Sequence, residues 1–174
     1  MKNEDLRIER VDELKKEIKI LESEIETLYK KRSKDIKDTH KWFLENICEK
    51  SNRVSYCKEL IGRIKRYNVQ VGDGVTVCYY SDRHAGTVIK RTAKSITVQR
   101  DKATLDPNWK PEFIVGGFAG HCTNQNEQTY TYERDEEGTV ETFRWRDKYG
   151  SYCGSGDQPI KIINGRHEFY DYNF

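Results

Sequence analysis

The stretch "VGDGVTVCYYSDRHAGTVI", Val71–Ile89, decides what kind of protein this is. Two apolar, β-prone runs flank Ser81, Asp82, Arg83, His84 and Ala85. Ser81 and Asp82 are the turn formers a hairpin connection needs. An arginine beside a histidine is not required by any turn, so Arg83 and His84 need another reason.

Outward from this stretch the β-like cadence continues. "KSITVQRDKA", "EQTYTYERD", "GTVETFRWRD", "PIKIING" and "RHEFYDYNF" are short, rich in β-branched and aromatic residues, and broken by Gly, Asp or Asn. The series predicts an antiparallel sheet or SH3-like barrel over residues 68–174. Hairpin turns are expected at "DEEGT" and at Asn164-Gly165, the strongest short turn signal in the chain. Residues 104–125, with Pro107, Pro111 and Gly116-Gly117, have little period and read as a long insertion. Loops of that length are commonly functional or mobile.

Before Tyr67 the period is helical. Val11, Leu14, Ile18, Leu21, Ile25 and Leu28 keep the alternating 3-4 spacing of a coiled-coil stripe. So narrow a stripe predicts a partner helix, and residues 1–67 read as a helical oligomerisation segment. The seam fails at Arg32 and Asp35, so "KRSKDIKD" is expected to be a hinge or a polar stretch of helix. A second helical segment carries Trp42, Phe43, Ile47, Val54, Cys57, Leu60, Ile61 and Ile64. The fold class expected is α+β.

Composition narrows the partners. Of 174 residues 35% are apolar and 34% charged, a thin core that fits one small domain beside an extended element. Residues 1–68 hold 18 Lys/Arg against 14 Asp/Glu, or +4, and residues 69–174 hold 13 against 15, or −2. A slightly acidic β-domain lacks the basic field of a general nucleic-acid binder. Five scattered cysteines without a CxxC pair fit reduced thiols. No window nears the roughly 20 apolar residues of a membrane span. The N-terminus is charged from Lys2 and has no signal-peptide core. A soluble intracellular protein is expected.

The familiar chemistries find little support. His121-Cys122 is an isolated pair without a second pair at zinc-ligand spacing. Cys78, between Val77 and Tyr79, reads as core rather than as an activated thiolate. No nucleophile elbow, P-loop or GxGxxG is present. Asp135, Glu136 and Glu137 sit in a turn, where solvation is the default. What remains is a set of arginines among aromatic residues: Arg83 and His84, Arg100, Arg144 and Arg146 in "FRWR", Arg166, and Tyr170 near the end. Strand alternation puts Arg144 and Arg146 on one face, with Phe143 and Trp145 on the other. Guanidinium groups bind phosphate oxygens in pairs, and aromatic rings stack on adenine. For any single arginine, pairing with a surface carboxylate is the competing explanation.

With "VGDGVTVCYYSDRHAGTVI…ITVQRDKA…YTYERDEEGTVETFRWR…GRHEFYDYNF" on the page, residues 69–174 resemble the first type of Thoeris anti-defence protein, a phage family. The N-terminal helices support the resemblance less, and residues 104–125 are longer than that family's pattern. The resemblance implies a sponge that binds glycocyclic ADP-ribose, the signal made by TIR-domain enzymes, without cleaving it. The downstream effector then stays silent in the cytoplasm of the infected bacterium. It also implies homo-oligomers from dimer to hexamer, and admits cyclic trinucleotides as a second ligand class. Arg83 and His84 would face the diphosphate, with Asp82 orienting Arg83 or accepting a ribose hydroxyl. Arg100, Arg144, Arg146, Arg166 and Tyr170 complete the implied site. No catalytic residue, metal or cofactor is expected. A different class stays open: an SH3-like protein- or nucleic-acid-binding module dimerised by a coiled coil. A cyclic-nucleotide hydrolase is disfavoured, because His40, His84, His121 and His167 are scattered.

Overall fold

A computed structural model describes residues 5–32, 38–116, 119–155 and 160–173. The chain divides into two compact units, Met1–Asn68 and Val69–Phe174.

In the first unit α1 (Arg10–Lys31) and α3 (Cys48–Tyr67) pack against each other, with α2 (Thr39–Asn46) between them in sequence. Acidic Asp12 and Glu13 open α1 and basic Lys30 and Lys31 close it, each matched to the helix dipole. Asp38 caps α2 by accepting the Lys41 N–H at 2.9 Å. The two long helices run antiparallel. Asn68 Nδ2 donates to the Leu6 carbonyl near one end, and Lys50 pairs with Glu24 toward the other.

Val11, Leu14 and Ile18 bury against Val54, Cys57, Leu60 and Ile64, and Leu21 and Ile25 are partly buried beside them. The stripe therefore finds its partner helix within the chain. α3 supplies the apolar face that the spacing calls for. The break expected at Lys31–Asp38 lies mostly outside the described residues.

The second unit is built on β1 (Gly74–Cys78), β2 (Arg83–Arg91), β3 (Ser95–Arg100), β4 (Lys102–Leu105), β5 (Phe113–Gly116), β6 (Ala119–Cys122), β7 (Tyr130–Glu133), β8 (Val140–Arg146), β9 (Ser151–Cys153) and β10 (Lys161–Asn164). Six of these close an antiparallel barrel in the order β1-β10-β9-β8-β3-β2. β4 pairs with β7 and β5 with β6 as two-stranded ribbons. Alternate positions of the barrel strands fill its interior: Val75, Val77, Val88, Ile96, Val98, Phe143, Tyr152 and Ile162, with Val69. Trp145 packs on them, its ring edge-on to Tyr152 at 5.2 Å. Gly86 lets β2 and β3 close, since a Cβ there would lie 2.6 Å from Val98 and 2.8 Å from the Gln99 carbonyl.

Three local expectations change. The connection after β1 is shorter than Ser81–Ala85, because Tyr79 N–H closes a turn onto the Asp82 carbonyl at 2.9 Å. Arg83 and His84 are therefore strand residues, opposite Cys78 and Val77. Residues 104–125 contain the β5–β6 hairpin rather than a structureless insertion. Finally, Gly165 has the positive φ of a turn (84°), but the chain beyond it forms no hairpin. Segment 166–173 pairs its backbone with β2 at the bridge of Arg83 with Phe169.

Candidate functional site

Two polar clusters are built on β2, one on each face, and the segment after Gly165 contributes to both. The first closes on a buried carboxylate under an arginine that still reaches solvent. Thr76 and Thr87 are buried on the outer side of the barrel, with Asp101 buried beside Thr87. Thr87 Oγ1 donates to Asp101 Oδ1 at 2.7 Å, and Arg166 Nε donates to Asp101 Oδ2 at 2.7 Å. Arg166 also reaches Thr87 Oγ1 at 2.8 Å, and Thr76 Oγ1 donates to the Gly165 carbonyl at 2.6 Å. Gly74 makes room for this arginine: a Cβ there would sit 2.8 Å from Arg166 Cγ. Arg166, expected to meet ligand, is committed to a buried carboxylate.

The second cluster lies at one end of the barrel, where β1 and β3 end and β2 and β8 begin. Register partners share a face. Val77 faces His84, Gly86 faces Arg100, and Val98 faces Glu141. His84, Arg100 and Glu141 thus continue the core-facing side just beyond the last valine layer. Tyr79 closes the group, its ring 5.2 Å from that of His84 and its hydroxyl donating to Glu141 Oε1 at 2.5 Å. Burial, then that hydrogen bond, pushes the Tyr79 phenol up to about 12.

Glu168 is the member no sequence signal disclosed. Its side chain is only 8% exposed as a residue, and one oxygen accepts the Ala85 N–H at 2.8 Å. The other lies 2.8 Å from His84 Nδ1 and 3.4 Å from Arg100 Nη2. Burial alone would raise the Glu168 carboxyl, but the hydrogen bonds from His84 and Ala85 and the charges of His84 and Arg100 outweigh it, and the group is held below its ordinary value. An ionised carboxylate only accepts, so His84 carries its proton on Nδ1. Arg100 Nη2, 3.0 Å from that nitrogen, is then a second donor around the same carboxylate rather than a partner of the ring.

Arg83 stands at the rim. Its backbone exchanges two 3.0 Å hydrogen bonds with Phe169. The guanidinium lies 5.5 Å over the Phe169 ring and 3.3 Å from His167 Nε2. Since the guanidinium can only donate, His167 accepts through Nε2 and holds its proton on Nδ1. The Asp82 carboxylate accepts the Asp171 N–H at 3.0 Å. Tyr170 is exposed and packs edge-on against Tyr172 at 4.8 Å, and Trp109 meets the same Tyr172 ring at 5.5 Å. Gln128 bonds both the N–H and the carbonyl of Tyr170.

The structure therefore gathers Arg83, His84 and Arg100 at one end, with Asp82 and Tyr170 beside the Arg83–Phe169 bridge, and places Arg144, Arg146 and Arg166 elsewhere. Arg144 pairs across to Ser95 and Cys153, at the far end of β3 from Arg100. Arg146 reaches the Gly154 carbonyl at 3.3 Å. Both are exposed, opposite Phe143 and Trp145 as alternation requires. Among the described residues no three His, Cys, Asp or Glu side chains are grouped to hold a metal ion, and no helix is long and apolar enough to cross a membrane. The Cys78 and Cys153 thiols are pushed up by burial, away from nucleophilic thiolates. No protein-family description, curated protein or solved structure matches this chain.

Proposed function

We propose that the protein binds and holds glycocyclic ADP-ribose without cleaving it, as a phage anti-defence protein that keeps the Thoeris effector silent in the host cytoplasm. One observation carries this reading: Arg83 and Arg100 flank a barrel end beside the Tyr79 and Phe169 rings. A cyclic ADP-ribose needs cations for its diphosphate, rings for its adenine and acceptors for its ribose hydroxyls. It needs neither a base nor a metal to be held. The resemblance of residues 69–174 to the anti-defence family points the same way.

Assembly belongs to the same proposal. Ile20, Tyr29, Leu44 and Tyr56 are exposed apolar side chains of the helical unit, available to a homo-oligomer of two to six subunits. Light scattering at micromolar concentration reads the mass directly, and a monomer removes the oligomer. A second reading has its own observation. Ile114 and Val115 of β5 are 57% and 101% exposed, which favours a protein-binding module.

Incubation with glycocyclic ADP-ribose followed by heat denaturation and mass spectrometry separates the readings. Sequestration depletes the free signal and returns it intact on heating. A protein-binding module never depletes it, and an enzyme returns product.

A further inference from the structure

We infer that Glu168 is an internal occupant of an oxyanion site, a carboxylate of the chain standing where a phosphate of the ligand binds. The inference rests on the sequestration reading only for the identity of that ligand; the site itself follows from the backbone. Ala85 points both its main-chain groups toward the side of β2 on which β3 ends. Its carbonyl is taken by the Asp101 N–H at 3.0 Å. Its N–H meets no strand carbonyl, and the Glu168 carboxylate fills the vacancy at 2.8 Å. His84 Nδ1 and Arg100 Nη2 converge on the other oxygen of the same group. One main-chain N–H, one imidazole N–H and one guanidinium around two oxygens is the donor set of a phosphate site.

Charge argues that this occupant must leave. Arg100 and His84 face Glu168, and Tyr79 and Glu141 complete the surroundings on the barrel side. With Glu168 in place the local positive charge is largely neutralised, so an incoming phosphate meets a like charge instead of a cation. The main chain can keep its place. The Glu168 N–H is held separately by the Tyr132 hydroxyl at 3.0 Å and the neighbouring Phe169 by Arg83, so neither anchor depends on the carboxylate. The opposite role for Glu168, orienting His84 and Arg100 for the ligand, predicts the opposite sign of effect.

Calorimetric titration of inorganic diphosphate decides between them. Glu168→Gln keeps the shape and an acceptor for the Ala85 N–H but removes the competing charge, and should bind diphosphate about tenfold tighter, a change of roughly 1.4 kcal/mol. Glu168→Asp keeps the net charge but falls one methylene short of the donors, and should also bind tighter. Glu136→Gln, in an exposed turn, makes the same change of net charge and should leave the affinity within about twofold. Unchanged or weaker binding by Glu168→Gln overturns the inference and makes Glu168 a positioning residue; should that variant fail to melt cooperatively, Glu168→Asp decides by the same sign. Glycocyclic ADP-ribose titrated in parallel keeps the two readings apart. Tighter diphosphate binding with no affinity for the cyclic signal would retain the oxyanion site and remove the sponge. Signal binding with no gain for diphosphate would do the reverse.

Discussion

Arg166 with Asp101 and Arg100 with Glu168 are two guanidinium–carboxylate pairs built on opposite faces of one strand, and their surroundings give them different work. Asp101 is 4% exposed, and both its oxygens and the facing threonines are satisfied by a closed set of partners. Arg100 is about half exposed at its side chain, shares its carboxylate with a histidine and a main-chain N–H, and sits 3.4 Å from it. A pair closed on a buried carboxylate fixes the position of a chain segment. An open pair, with long contacts and water at hand, is a place where one anion can be exchanged for another. Residue type distinguishes neither, and both guanidinium groups reach solvent; what differs is that Arg166 meets Asp101 and Thr87 at 2.7 and 2.8 Å while Arg100 stands 3.4 Å from a carboxylate it shares.

The largest way to break this contrast is Arg166→Ala. It leaves the buried Asp101 carboxylate with only the Thr87 hydroxyl, and a buried acceptor stripped of its donor costs about 1–3 kcal/mol. The thermal midpoint should fall by roughly 4 °C or more for a unit of this size. Below that midpoint the affinity for ligand should be unchanged. A midpoint within a few degrees of wild type would put the pair among surface contacts.

Arg83→Ala should do the reverse: small change in melting, large change in binding. Loss of a charge-assisted hydrogen bond to phosphate, about 1.5–3 kcal/mol, weakens glycocyclic ADP-ribose roughly ten- to a hundredfold by calorimetry. Arg83→Lys should recover part of it, since an ammonium lacks the planar two-oxygen contact. Equal affinities across the series would remove Arg83 from the site.

The smallest effect is in acid. Glu168 is held below its ordinary value in the folded state, so it contributes stability above its unfolded value near 4.5 and loses it as pH falls through the lower folded value. Denaturant melts of wild type and Glu168→Gln should therefore converge on acidification below about pH 4.5. Curves that stay parallel would show that the carboxylate gains nothing from His84, Ala85 and Arg100.

The barrel was legible because its strands alternate. Val75, Val77, Val88, Ile96, Val98 and Phe143 stand at every second position, and burial follows them. β9 was not, because three consecutive buried residues, Ser151–Cys153, carry no period. The 3-4 stripe of α1 is covered by α3, and sequence spacing does not say whether such cover comes from another chain or from the same one. Arg83, His84 and Arg100 were picked out singly, and the register of β2 with β3 unites them. Glu168 stayed hidden inside "RHEFYDYNF", which reads as a strand with an ordinary surface glutamate. Its role arises from the place where β3 stops pairing with β2, a long-range fact no local pattern contains.

The lateness of Arg166 in the chain has a consequence for biosynthesis. Asp101 leaves the ribosome 65 residues before its guanidinium partner. At about 5–20 residues per second that interval is several seconds. For all but its last few residues β10 is also missing, so β1 exposes the edge that β10 will cover and the sheet cannot close into a barrel. Native pairing of β1, β2 and β3 can begin during translation, but the Asp101 cluster and the oxyanion site both wait for the segment after Gly165. A nascent chain arrested before that point presents an open sheet edge and an unpaired carboxylate, the state in which this unit is most exposed to strand-to-strand association with other chains.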